Sequence, residues 1–406
     1  MPAPQPPRFA LYSPLLPPAH GGQPVILQRM LEGIDPESYL LIGDAGYQES
    51  MADQATEKGL RAETRFVKYT TGHPRPIQRK SALLRFPFDA YREITGRARQ
   101  ITPWLREWRP HALVVCTGDL YGFPAACRAA RLAGIPYIPY LFDDYAYQGG
   151  KFYHPLAKRA ERHFLRRAAK IIVTNEAAQA EYRKRHGVES NVIHNAYPKP
   201  DLASLDRLPN PFSTADYNIV FAGSIYNAHY DAFRNLVGAI ASLSNNRIKL
   251  HIYSPQAPNH LAAFGISGPF IVHHGLLPGS EVAAVERKAD LLFLPLAFES
   301  PIAPLLKTSS PGKMAEYLAM GRPILVHAPE GTFVNQYFRQ HKCGWVADSN
   351  EKKELAGSLT TMMGDPERGR QFAIQARERF ETDFTVERAR EQFRAVVDGV
   401  YPPEKA

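Results

Sequence analysis

At 406 residues the chain exceeds what one core usually serves, so two domains of roughly 200 residues each are expected. The 44% hydrophobic share supports folded, soluble domains, and no apolar run of about 18 residues is present to span a membrane. The net charge of +9 lies wholly in the first half: residues 1–205 carry 28 Lys and Arg against 19 Asp and Glu, whereas residues 206–406 carry 21 of each.

A basic first half points to an anionic partner there, such as a membrane surface, a phosphorylated lipid or an acidic polymer. Recognisable nucleic-acid modules are absent, so no nucleic-acid partner is expected. Cys116, Cys127 and Cys343 are odd in number and lack metal spacing, which reads as a reducing compartment without a disulfide framework. The amino terminus, MPAPQPPRFALYS, has no long apolar region after a basic start and is not read as a signal peptide.

In chain order, RFALYS (8–13) predicts a first strand and 25–31 a helix, with Gly21 and Gly22 between them where backbone can approach a ligand closely. G-x-G-x-x-G is missing there, which disfavours a nicotinamide enzyme. YLLIG (39–43) and TRFVKYT (64–70) follow as strands. The basic, aromatic segment 75–109 predicts a loop and then a helix over 88–108. ALVVCTG (112–118) is a buried strand, 124–132 a helix, and YIPYLFDDY a strand that ends in Asp143 and Asp144. Both acids stand where a parallel sheet displays ligand-binding groups, although adjacent acids also serve as plain caps.

Residues 155–170, PLAKRAERHFLRRAAK, read as a basic amphipathic helix, suited either to an anionic membrane surface or to the solvated face of a packed helix. KIIVTN, a helix over 176–186 and NVIHNAYP close the first half. Alternating strands and helices argue for a parallel, doubly wound sheet. PKPDLASLDRLPNP (198–211) reads as a linker. The pattern then restarts with strands at 218–224, 248–254, 270–275, 290–296, 323–328 and 343–348, and the tail 351–400 is helical with breaks at Pro366 and 384–385.

The stretch SSPGKMAEYLAMGRPI (309–324) carries the most chemistry. Pro311 and Gly312 mark a loop, Met314, Tyr317, Leu318 and Met320 give an apolar helical face, and Gly321 ends the helix. Lys313 and Glu316, three apart, share one side of the first turn. A helix start with a lysine favours an anion, and a carboxylate one turn on can accept two hydrogen bonds from a vicinal diol. Phosphate and ribose handled together point to a nucleotide; the alternative is an ordinary solvated helix pair.

Four segments resemble the GT-B glycosyltransferases, most nearly the family 4 (glycosyl transferases group 1) type. VTNEAAQAEYRKRHGVESNVIHNAYP resembles the end of their first domain, YNIVFAGSIYNAHYDAFRNLVGAI the opening of their second, and SPGKMAEYLAMGRPILV with CGWVAD their donor-nucleotide segment and the strand after it. The resemblance implies two Rossmann-like domains facing across a cleft: an acceptor-side domain over 1–205, a nucleotide-sugar domain over 206–384, and a terminal helix over 385–406 returning toward the first.

It also implies roles. Glu316 would hold the ribose hydroxyls, Lys313 with Ser310 and Gly312 would approach the diphosphate, and Gly223, Ser224 and Asn227 would reach it from the other side. Gly21 and Gly22 match the first-domain glycine loop, and Asp143 or Asp144 the polar group at the sugar end. The usual arginine and lysine after the second-domain strand are absent, with Ser224, Ile225, Tyr226, Asn227 and His229 standing there, and Thr308 stands where an E-x7-E pair would start. Lys313 is therefore expected to carry more of the diphosphate.

The implied activity is metal-independent transfer from a nucleotide-diphosphate sugar to a glycan, lipid-linked or surface-polysaccharide acceptor, retaining, with no cofactor. An inverting enzyme would need a base, for which Asp143, Asp144 or His20 are the candidates. A nucleotide-sugar epimerase or an inactive nucleotide-binding scaffold are the alternatives. The chain is expected in the cytoplasm, docking at the inner membrane surface.

Overall fold

The computed structural model describes residues 8–19, 21–46, 59–70, 82–149 and 153–400. They divide into unit 1, Met1–His194 with Val386–Ala406, and unit 2, Asn195–Thr385. The division falls at 194/195, ahead of the proline-rich stretch, where the sequence reading had put it at 205/206.

In unit 1 the chain runs β1 (Phe9–Tyr12), α1 (Gly22–Leu31), β2 (Tyr39–Asp44), β3 (Glu63–Val67), α2 (Ala82–Trp108), β4 (Ala112–Cys116), α3 (Gly122–Ala133), β5 (Tyr137–Leu141), α4 (His154–Leu165), β6 (Ile172–Val173), α5 (Glu176–His186) and β7 (Asn191–Val192). Among the described residues its sheet is parallel, in the order β3-β2-β1-β4-β5-β6-β7. Every residue of β1, β2, β4 and β5 is buried, which is why these strands read as continuous apolar runs rather than alternating ones.

Unit 2 repeats the scheme with α6 (Leu202–Arg207), β8 (Tyr217–Ala222), α7 (Tyr230–Leu243), β9 (Ile248–Tyr253), α8 (Pro258–Ala263), β10 (Ile271–His273), α9 (Gly279–Lys288), β11 (Leu291–Pro295), α10 (Ala303–Lys307), α11 (Gly312–Met320), β12 (Ile324–His327), α12 (Phe333–His341), β13 (Trp345–Ala347), α13 (Lys352–Gly364) and α14 (Pro366–Arg379). Its parallel sheet has the order β10-β9-β8-β11-β12-β13. A π-helical turn over Phe380–Phe384 then leads to α15 (Val386–Asp398), which belongs to unit 1. There the Phe393 ring meets Phe9 edge-on at 5.4 Å, and Arg390 donates to the carbonyls of Arg29 (2.6 Å) and Met30 (3.1 Å) at the end of α1.

Strand order reverses between β1 and β4 in one sheet and between β8 and β11 in the other. Loops leaving the carboxyl ends of such neighbours diverge to opposite sides and leave a crevice, the usual ligand position in open α/β sheets.

Two sequence expectations change. Residues 198–211 are not a bare linker: Asp201 caps α6 by accepting from the Ser204 amide (3.1 Å) and hydroxyl (2.6 Å), and Arg287 of α9 forks onto Asp206 (2.8 and 2.9 Å). The prolines flank this short helix rather than interrupt it. The basic helix read over 155–170 ends at Leu165, so Arg166 and Arg167 fall in the following turn. The loop expected from Arg75 lies outside the described residues at 71–81. Cys116, Cys127 and Cys343 are buried free thiols, and among the described residues no helix is long and apolar enough to cross a membrane.

Candidate active site

Unit 2 concentrates its unusual chemistry at the β8/β11 reversal. Gly223 leaves β8 with φ +151°, a conformation L side chains rarely adopt, and its amide donates to Tyr253 O at 2.8 Å. A Cβ here would come within 3.3 Å of Lys313 Cε, so the glycine also makes room for that lysine. Beyond it Ser224 and Asn227 are exposed. Their loop is pinned to the one after β11: Ser300 Oγ donates to Asn227 O (2.8 Å), the Ala297 amide to Ala228 O (2.7 Å) and the Glu299 amide to Asp231 Oδ2 (2.6 Å). His229 is packed between Tyr226 and Phe221, and burial pushes its imidazole down to about 4, so it is neutral near pH 7.

Helix α11 follows from the same edge. No side chain caps its start at Pro311, and the amides of Gly312 and Lys313 precede its first internal hydrogen bond. Just before it, Asn195 Nδ2 donates to Ser310 O at 2.7 Å. Asn195 and Ser310 are each only 8% exposed, yet Asn195 Oδ1 and Ser310 Oγ have no hydrogen-bond partner among the described residues. A buried hydroxyl and a buried amide oxygen left open beside an uncapped helix start are costly unless a ligand completes them.

One turn in, Lys313 Nζ lies 2.5 Å from Glu316 Oε2 and 3.3 Å from Glu286 Oε1 of α9. Burial works against the ammonium, but the Glu286 and Glu316 carboxylates outweigh it, so the lysine's pKa is raised. The trio is net anionic when all three are ionised. Lys313 is thus not an isolated cation waiting for phosphate; it also neutralises Glu286, whose side chain is 0% exposed. Sequence reasoning missed Glu286, because in VAAVERK it looks like any surface glutamate. At the other end of α11, Gly321 adopts φ +60°, and the last carbonyls are taken by Arg377 (Ala319 O, 2.6 Å) and Arg287 (Met320 O, 2.7 Å). The helix is therefore satisfied at its carboxyl end and open at its amino end.

Unit 1 holds the remaining predicted residues. Gly21 and Gly22 form the exposed, uncapped start of α1. His20 lies outside the described residues. Asp143 is exposed after β5, whereas Asp144 is buried and accepts both terminal nitrogens of Arg185 (2.8 and 2.6 Å). The two adjacent acids therefore differ: Asp144 is committed to an ion pair and Asp143 is open to solvent.

Beneath this edge lies a cluster that sequence reasoning did not find. Arg97 of α2 bonds Asp44 (2.8 Å), Asp119 (3.0 Å) and Glu93 (2.6 Å), and Tyr12 OH donates to Asp44 at 3.0 Å. Asp119 also accepts the Tyr121 amide (2.9 Å), and Glu93 the Thr70 amide (3.0 Å). All these charged groups are at most 5% exposed. The cluster joins the carboxyl ends of β1 and β2 and the segments after β3 and β4. Burial pushes Asp44 up to about 8 against the pull of Arg97.

Two family models match, one in each half of the chain. A glycosyl transferase 4-like domain covers residues 45–196, and a glycosyl transferases group 1 domain covers 216–365. The chain belongs to the group 1 GT-B glycosyltransferases. This glycosyltransferase is 26% identical over 358 residues to the 2-deoxystreptamine glucosyltransferase of Streptomyces kanamyceticus, covering 78% of the chain and 88% of that protein. Its fold matches Anabaena HepE in complex with UDP (TM-score 0.70, 12% identity, 97% of this chain and 100% of that one). It also matches a glycosyltransferase from Rickettsia africae (TM-score 0.68, 10% identity, 99% and 100%).

Proposed function

We propose that this glycosyltransferase moves a sugar from a nucleoside-diphosphate sugar to a glycan, lipid-linked or surface-polysaccharide acceptor, without a metal ion and with retention of configuration. The observation that carries the donor reading is the open start of α11: two unprotected amides, the unpartnered Ser310 hydroxyl and Asn195 amide oxygen, and Glu316 one turn in. In this reading the amides of Gly312 and Lys313 with Ser310 Oγ hold the diphosphate, and Glu316 accepts from the ribose hydroxyls. Gly223, Ser224 and Asn227 supply backbone and small polar contacts where a bulky side chain would intrude.

Negative charge developing on the departing diphosphate is met in this reading by the fixed dipoles at the start of α11, with Lys313 shared between it and its two carboxylates, and no ion is invoked for it. Retention rests on the family resemblance, in which the departing phosphate accepts the acceptor's proton. Asp144 is held by Arg185, and the exposed Asp143 is the base that an inverting enzyme would use instead. The UDP and UDP-glucose complexes of the Anabaena protein make UDP-glucose the first donor to test, and 2-deoxystreptamine belongs in the acceptor panel because of the Streptomyces relative. Transfer is expected to proceed at an unchanged rate in excess EDTA, with NMR of the product showing the donor's anomeric configuration. A rate abolished by EDTA and restored by Mg2+, or an inverted product, would remove that part of the proposal. Isomerised nucleotide sugar without acceptor would instead identify an epimerase.

The reading includes a cytoplasmic enzyme docking at the inner membrane surface through α4 and its following turn, where Arg159, Arg162, Arg166, Arg167 and Lys170 are exposed beside Leu156. Cosedimentation with phosphatidylserine vesicles is expected to be lost at high salt and in Arg159→Glu/Arg162→Glu. Equal pelleting with neutral phosphatidylcholine vesicles would rule the docking out.

A further inference from the structure

Unit 2 has a second concavity, and it lies at the amino ends of the strands, the opposite edge from Gly223 and Lys313. It encloses about 700 Å3, within the range of small-molecule pockets. Arg322 and Pro323, just ahead of β12, line it together with Trp345 at the start of β13. Met362 and Met363 of α13 and Ile374 of α14 complete an apolar wall. Ile374 is 57% exposed, a large aliphatic group with nothing over it.

Four arginines border this space, and three are already spent. Arg287 holds Asp206 and Met320 O, Arg370 holds Glu367, and Arg377 holds Ala319 O and Glu381. Arg322 differs. Its Nε donates to Ala289 O, but its terminal nitrogens make no hydrogen bond among the described residues. The nearest carboxylate oxygen, Asp290 Oδ1, is 3.8 Å from Nη2, and the other oxygen of Asp290 is occupied by the Asn218 amide and side chain (2.8 and 3.0 Å). Burial pushes the guanidinium's pKa down, and the loose Asp290 contact does not restore it. A partly desolvated planar fork with open donors, set against a thioether, indole and aliphatic wall, is complementary to one kind of ligand.

We propose that this pocket binds an apolar anion, a chain or ring bearing one carboxylate or phosphate, with the head group on the Arg322 fork and the apolar body on Trp345, Met362, Met363 and Ile374. The site shares no residue with the donor site and does not depend on the reading of that site.

Decyl phosphate and decanoate, titrated onto the full chain below their micellar concentrations, test it by calorimetry and by tryptophan emission. Saturable binding of one equivalent of either anion is expected, and the tighter of the two identifies the head group. Decanol, which lacks the charge, and Arg322→Met, which lacks the fork, should each bind about tenfold more weakly or worse. Ile374→Glu, at an exposed position that leaves the core untouched, should weaken both anions by a like factor, and Trp345→Phe should abolish the emission change. Absence of saturation, decanol binding as tightly as the anions, wild-type affinity in both Arg322→Met and Ile374→Glu, or an emission change that survives Trp345→Phe would each overturn the assignment.

Discussion

Glu316→Ala is expected to weaken UDP binding by roughly 10- to 100-fold, since hydrogen bonds to a charged acceptor are worth about 1.5–3 kcal/mol each and water recovers part of the loss. Glu316→Gln, which keeps the shape and one acceptor, should fall between the variant and the wild type. Calorimetric titration of UDP reads both. A dissociation constant within twofold of wild type in Glu316→Ala would discard the ribose role. Glu316 is a cleaner probe than Lys313. Removing the lysine strips the buried Glu286 of its counter-ion, so Lys313→Ala is expected to lose stability as well as affinity, whereas removing Glu316 leaves the Lys313–Glu286 pair in place.

Arg97→Met should destabilise unit 1 by about 3–5 kcal/mol, the usual cost of leaving buried charges without their partner. Three carboxylates, Asp44, Glu93 and Asp119, share this one guanidinium. Urea unfolding followed by Trp104 and Trp108 emission in a Trp345→Phe background isolates unit 1. A loss below about 1 kcal/mol would mean that the cluster is not a brace. The same titration has a pH signature. Asp44 is pushed up to about 8 in the folded state, above its unfolded value near 4. The folded chain therefore binds the extra proton across that window. The stability this proton supplies is fully present below about pH 4 and is lost as pH rises through about 8. Asp44→Asn should flatten this slope.

What the sequence made legible was whatever depends on near neighbours in the chain. Continuous apolar runs marked the doubly buried strands, and Gly321 marked a helix end that the structure keeps. The spacing of Lys313 and Glu316 placed both on one face of a first turn, where they meet. What stayed hidden depends on partners far apart in sequence. Glu286 becomes a buried counter-ion only because α9 lies against α11, and Arg97 gathers acids 53 and 22 positions away. Neither carries a local mark, since a lone charged residue in a helix is ordinarily solvated. The helix α6 was missed for a different reason: its flanking prolines dominated the composition of the window.

The placement of α15 in unit 1 has a consequence for how the chain is made. Unit 2 is one uninterrupted stretch and has all its parts once residue 385 has emerged from the ribosome. Unit 1 is begun first but lacks the helix that covers Phe9 and the end of α1 until residues 386–398 are translated. Synthesis therefore completes the later unit before the earlier one, the reverse of the usual amino-first order. During elongation the nascent chain carries an apolar patch over β1 and α1 until α15 is made to cover it.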